Sequence, residues 1–150
     1  MKAKPALPPA PADSESIDFL LAQICRLHHG RAHTLLEGIG LYRGQPPLLT
    51  ILHQEEGLTH GDLAARMAVT PPTMTKMIQR MERAGFVRRQ PDAGDQRVSR
   101  VYLTDAGRAV RSEMLTVLGA LEAEAFAGFT PKELDQMRHF FLQIRDNLKG

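Results

Sequence analysis

The sequence predicts a mainly α-helical domain carrying one small antiparallel β-hairpin, and three observations predict it. Apolar residues recur at helical spacing over most of the chain after residue 16. Threonines stand at the head of several of these periodic segments, at positions 59, 70, 104 and 130, where a hydroxyl can cap a helix. One stretch breaks the period: RRQPDAGDQRVSRVYLT, from Arg88 to Thr104, sets the turn formers Pro91, Asp92, Gly94 and Asp95 between residues of strand character.

In chain order, Ser16 caps a first helix with Ile17, Leu20, Leu21, Ile24, Leu27 and Leu35 on its core side, closing near Gly38 or Gly40. Pro46 and Pro47 fit only a first turn, so LLTILHQEE reads as a second helix stopped by Gly57. In LTHGDL, Thr59 is the N-cap, Asp62 lies three residues on, and Leu58 with Leu63 forms a hydrophobic staple, giving a short third helix that ends by Ala68. Thr70 caps the fourth, with Pro71 and Pro72 in its first turn. Met74, Met77, Ile78 and Met81 form its buried stripe, which leaves Thr73, Thr75, Lys76, Gln79, Arg80 and Arg83 outward. Gly85 ends that helix. The hairpin follows, with Phe86 and Val87 on one side, Val98, Val101, Tyr102 and Leu103 on the other, and a turn from Gln90 to Gln96. Thr104 caps a long fifth helix with Val110, Met114, Leu118, Leu121 and Ala125 along one side. Thr130, Pro131 and Glu133 open the sixth, whose apolar positions are Leu134, Met137, Phe141, Ile144 and Leu148.

At 150 residues the chain is expected to form one domain, residues 16–150, preceded by a proline-rich disordered leader, 1–15. No apolar run approaches the roughly 18 residues of a membrane span, and the leader lacks the apolar segment of a signal peptide. One cysteine excludes an internal disulfide and fits a reducing cytoplasm. Net charge is only +2, yet residues 70–103 hold seven Lys/Arg against three Asp/Glu, a local +4 that leaves −2 for the remainder. Such a patch on a balanced chain points to a polyanionic partner.

Two short helices joined by a tight turn, the second headed by Thr-Pro and followed by a basic hairpin, describe a winged helix-turn-helix. A helix of this kind fits the major groove of B-DNA, its N-terminal amides favour phosphate, and Thr, Lys, Gln and Arg reach base edges. The outward face carries Lys76, Arg80 and Arg83 opposed only by Glu82, whereas an ordinary solvated face mixes signs.

From LTHGDLAARMAVTPPTMTKMIQRM through ERAGFVRRQPDAGDQRVSRVYLTDAGR, the chain resembles the MarR family of multiple-antibiotic-resistance regulators, and with the flanking helices the likeness covers about residues 16–149. The motif residues are Leu103, Thr104 and Gly107 at the head of the fifth helix and the wing pair Asp95 and Arg97. The resemblance implies a winged core at about 45–103 and a homodimer built by terminal helices at about 16–38 and 104–149. It also implies a transcriptional regulator, expected to repress, that binds a pseudo-palindromic double-stranded DNA operator and is released by a small-molecule effector. DNA contacts then fall to Thr70, Pro71, Pro72, Thr73, Thr75, Lys76, Gln79, Arg80, Arg88, Asp95 and Arg97. Arg97 would enter the minor groove while Asp95 holds it. Gln96 stands where many members carry a second arginine, and Pro72 where a small polar residue is commoner, so one hydroxyl contact to phosphate is missing. The effector cleft would lie where the dimer helices meet the DNA-binding lobe, near His33, Tyr42, Arg43 and His53.

Other chemistry is thinner. Cys25 invites a thiol-sensing reading, but beside Ile24 it is expected to be a small buried side chain. His28, His29 and His33 cluster on the first helix, and His29 with His33 is an i, i+4 pair able to share a metal, although no third ligand follows at suitable spacing. No cofactor is expected. HExxH and GxSxG are absent, and GIGLYRG follows no strand, so catalysis is not expected. The competing readings are a metal- or thiol-responsive regulator of the same fold and a winged helix that uses its basic face on an acidic protein.

Overall fold

A computed structural model describes residues 16–150; the expected leader lies outside the described residues. Six helices and three short strands follow in the order α1 (Ile17–Glu37), α2 (Gln45–Gln54), β1 (Leu58–Thr59), α3 (His60–Arg66), α4 (Pro71–Arg83), β2 (Val87–Pro91), β3 (Ser99–Leu103), α5 (Asp105–Ala125) and α6 (Pro131–Lys149). The helix starts follow the capping chemistry. Thr59 and Thr130 form full capping boxes with Asp62 and Glu133, Thr70 and Thr104 accept from the amides three residues on, and Ser16 does the same for Phe19. Pro46 and Pro47 sit in the first turn of α2 as expected, behind a left-handed Gly44.

The hairpin is the greater part of an antiparallel sheet with strand order β1-β3-β2. Val87 pairs with Leu103 and Pro91 with Ser99, so strand pairing runs past Gln90, where the turn was expected to begin. Pro91 is tolerated there because β2 is an edge strand, where a missing N–H is not needed by a second neighbour. β1 is an addition: Leu58 pairs with Val101 and Thr59 with Arg100.

The core lies inside the winged lobe. Leu48, Leu49 and Leu52 of α2, Leu63 of α3, Met74, Ile78 and Met81 of α4 and Val101 of β3 are fully buried. Each such side chain stabilises the lobe by about 1.5–3 kcal/mol relative to exposure. Met77, expected in the same stripe, is only half-buried. Thr104 ties α5 to the end of α4: its amide donates to Phe86 O at 3.1 Å and its hydroxyl to Gly85 O, while it accepts from Gly107 N at 3.0 Å. A Cβ on Gly107 would stand 2.0 Å from Phe86 O, so that close approach requires glycine and accounts for the Leu-Thr-x-x-Gly motif.

The terminal helices differ from expectation. Neither α1 nor α6 has a buried residue. Ile17, Leu20, Ile24 and Leu27 are exposed rather than facing a core, Leu21 and Leu35 are half-buried, and Ala125 at the end of α5 is exposed. On α6, Phe141 and Leu148 are exposed and Leu134, Met137 and Ile144 only half-buried. An open groove of about 570 Å3 separates α6 from α5, walled by Phe126, Leu134, Met137 and Phe141.

Candidate nucleic-acid interface

α4 presents Thr73, Lys76, Gln79, Arg80 and Arg83 to solvent, with Thr75 half-buried at the margin of that face. Its amphipathic character follows from the burial of Met74, Ile78 and Met81 on the opposite side. Glu82, the one acid on the helix, accepts from Arg89 Nε of β2 at 2.8 Å. No ion pair among the described residues engages Lys76, Arg80, Arg83, Arg88 or Arg97, so the positive face is more nearly pure than the residue count implies.

The head of α4 departs from the expected amide cradle. Pro71 and Pro72 carry no N–H, and the Thr73 amide is taken by the Thr70 hydroxyl at 3.4 Å. Polar reach here comes from side chains: Thr70 Oγ1 and Thr73 Oγ1 lie 2.8 Å apart, both on exposed residues, and two hydroxyls that share one hydrogen bond retain a proton to donate outward. The helix dipole still favours an anion at this end.

The wing is built around an ion pair absent from the sequence reading. Arg100 binds the Asp92 carboxylate through Nε and donates from Nη1 to Gly57 O at 2.8 Å, which joins the turn to the connection between α2 and β1. The other Asp92 oxygen accepts from Gly94 N at 3.0 Å and Asp95 N at 3.1 Å. The Arg100 guanidinium, then these two amides, hold the Asp92 carboxyl below the usual carboxylate range. Asp95 does meet Arg97, but at the backbone: its Oδ1 accepts from Arg97 N at 3.0 Å, so it shapes the loop rather than gripping the guanidinium. Arg97 is left exposed at the tip. Arg88 lies over the Tyr102 ring, 4.7 Å from its centroid, and donates to Gln90 Oε1 at 3.0 Å. Arg100 was missed because its partners lie 8 and 43 residues away. A charged residue between the apolar positions of a central strand was the available signal.

The expected effector residues are dispersed. His33 is on α1, paired with Glu37 at 3.1 Å, Tyr42 and Arg43 are exposed in the connection to α2, and His53 is exposed in the last turn of α2. None of the four lines the groove between α5 and α6 or the shallow hollow at Gln79, Glu82, Arg83 and Arg89. Cys25 is exposed, contrary to the expectation of burial, on a stretch of α1 where Ile24 and Leu27 are exposed too. His28, His29 and His33 are exposed on the same helix, and among the described residues no group of three or more His, Cys, Asp or Glu is placed to hold a metal ion. No helix among the described residues is long and apolar enough to cross a membrane.

Comparison with known proteins agrees with this geometry. The model of the MarR family matches residues 41–99, from the connection between α1 and α2 to the first residue of β3. The chain is 31% identical over 135 residues to the transcriptional activatory protein BadR of Rhodopseudomonas palustris, covering 87% of this chain and 77% of that protein. It is 30% identical over 143 residues to the HTH-type transcriptional regulator TtmR of Methylorubrum extorquens, covering 91% and 67% respectively. In fold it is similar to a mutant of S. aureus MepR bound to an oligodeoxyribonucleotide, with TM-score 0.69, 24% identity and coverage of 89% of this chain and 98% of that one.

Proposed function

The chain belongs to the MarR family of winged-helix transcriptional regulators, and from that premise we propose that it binds a pseudo-palindromic operator as a homodimer and represses transcription from the cytoplasm until a small molecule releases it. The observation that carries the reading is the exposed cationic face of α4, whose single acid is taken by Arg89, beside a wing that holds Arg97 free at its tip. α4 would lie in the major groove with Lys76, Gln79 and Arg80 toward base edges, and Arg97 would probe the minor groove. Thr70 and Thr73 would meet phosphate through hydroxyls, and Arg88, stiffened by Tyr102, would meet it as a cation. The unburied faces of α1 and α6 support the homodimer, since paired chains would cover them. The MepR mutant of similar fold is bound to an oligodeoxyribonucleotide, which supports DNA as the partner. For the effector, His33, Tyr42, Arg43 and His53 remain the proposed contacts, although they stand on separate elements rather than around one pocket.

The experiment is selection of genomic fragments by the purified protein, followed by binding to the selected duplex at two salt concentrations. Affinity is expected to fall by orders of magnitude from 50 to 200 mM salt while the site preference survives competitor DNA. Fragments without a shared site would reject sequence-specific regulation and favour an acidic protein partner.

A further inference from the structure

A hydroxyl is a poor reader of bases unless its proton is fixed, because it donates or accepts with equal ease. Thr75 is unusual in this respect. Thr34, Thr50, Ser112 and Thr116 each donate to the carbonyl four residues earlier in their helices. Thr75 makes no such bond to Pro71; its hydroxyl stands 3.5 Å from His60 Nδ1, at the outer limit of a hydrogen bond. His60 is the first residue of α3, so the contact crosses from one helix of the motif to the other. Its second ring nitrogen, Nε2, is buried and has no partner among the described residues.

We infer that His60 is a specificity-determining residue acting through Thr75: with its proton on Nδ1 it donates to the Thr75 hydroxyl and turns the Thr75 proton outward, toward an acceptor edge of a base. The inference rests on α4 being the DNA-reading helix. The tautomer follows from the burial of Nε2. A proton there would be an orphaned buried donor, whereas a bare lone pair is the less costly orphan. Glu82 on α4 is the opposing charge, already occupied by Arg89. Burial, then Arg89, holds the His60 imidazole below its ordinary value against Glu82, so the ring is neutral at pH 7. A Thr75 locked as donor reads guanine O6 or N7, adenine N7 or thymine O4, and discriminates against the amino groups of cytosine and adenine.

Two measurements test this. Nitrogen-15 histidine spectra of the free protein are expected to show the His60 proton on Nδ1; a proton on Nε2 would overturn the inference. Selection from random duplexes is then compared for the unmodified protein, His60→Ala, Thr75→Val and the double variant. His60→Ala is expected to relax one base pair per half-site by roughly three- to tenfold, the preference lost being for an acceptor edge. Thr75→Val should relax the same pair, and the double variant no more than either alone. A histidine that merely supports folding would weaken all sequences equally, and that result would overturn the inference. Failure of the unmodified protein to enrich any sequence would reject the regulator reading and this inference with it, whereas a clear site unaltered by His60→Ala rejects the His60 role alone.

Discussion

The winged lobe and the terminal helices carry the same apolar period and use it differently. On α4, Met74, Ile78 and Met81 are fully buried; on α1 and α6, Ile17 is 82%, Leu27 63% and Leu148 79% exposed. A 3.6-residue stripe states which face of a helix needs cover and says nothing of whether the cover comes from its own chain. The lobe supplies its own through α2, α3 and the sheet. The terminal helices leave theirs open.

The strongest way to break this contrast is a charge on α6. Phe141→Asp is expected to leave the lobe folded, since Phe141 is 46% exposed in the single chain, but to dissociate the proposed dimer. Operator affinity should fall by about a hundredfold or more, as two linked half-site contacts become one. Sedimentation together with circular dichroism checks it: a variant that remains dimeric shows that α6 is not the interface.

Two glycines of α5 sharpen the contrast within one helix. Gly107→Ala forces a Cβ onto Phe86 O and should cost about 3 kcal/mol, read as a lower urea midpoint. Gly119 has nothing within 4 Å of its added Cβ, so Gly119→Ala should stabilise by up to about 1 kcal/mol through helix propensity. Equal losses at both would mean that the α5–α6 side is as closely packed as the lobe.

In the wing, Arg97→Ala should weaken operator binding by about 1–3 kcal/mol across sequences and reduce the salt slope by about one. Lys132→Ala, on exposed α6, is the matched control and should change neither. Thr75→Ala or Gln79→Ala should instead alter which bases are preferred.

The smallest effect is acid loosening of the wing turn. The Asp92 carboxyl titrates below its ordinary value, so its contribution is fully present above the usual carboxylate range and is lost as pH falls through the folded value. Protection of the Gly94 and Asp95 amides, taken relative to their intrinsic exchange at each pH, should fall below about pH 4, and Asp92→Asn should remove that dependence. Exchange in the α4 stripe should not follow it.

What was legible in the sequence was local. Thr59, Thr70, Thr104 and Thr130 cap the helices they were expected to head, because capping involves one turn of chain. The hairpin was legible from its turn formers for the same reason. β1 was not: two residues hold no period, and Leu58 is a strand only through Val101, 43 positions away. The Arg100 clamp and the His60 contact with Thr75 depend on tertiary approach, which no spacing records. Cys25 was expected buried by residue type, yet its exposure is decided by the missing cover of α1.

In the proposed dimer one region reads a half-site and the other doubles it. Native mass spectrometry of the protein on its selected duplex tests this directly, with both half-sites intact and with one scrambled. Two chains per duplex are expected on the intact site, its half-sites about 10 base pairs apart, with affinity falling sharply when one is scrambled. One chain per duplex, bound equally well to the intact and the scrambled site, would contradict it.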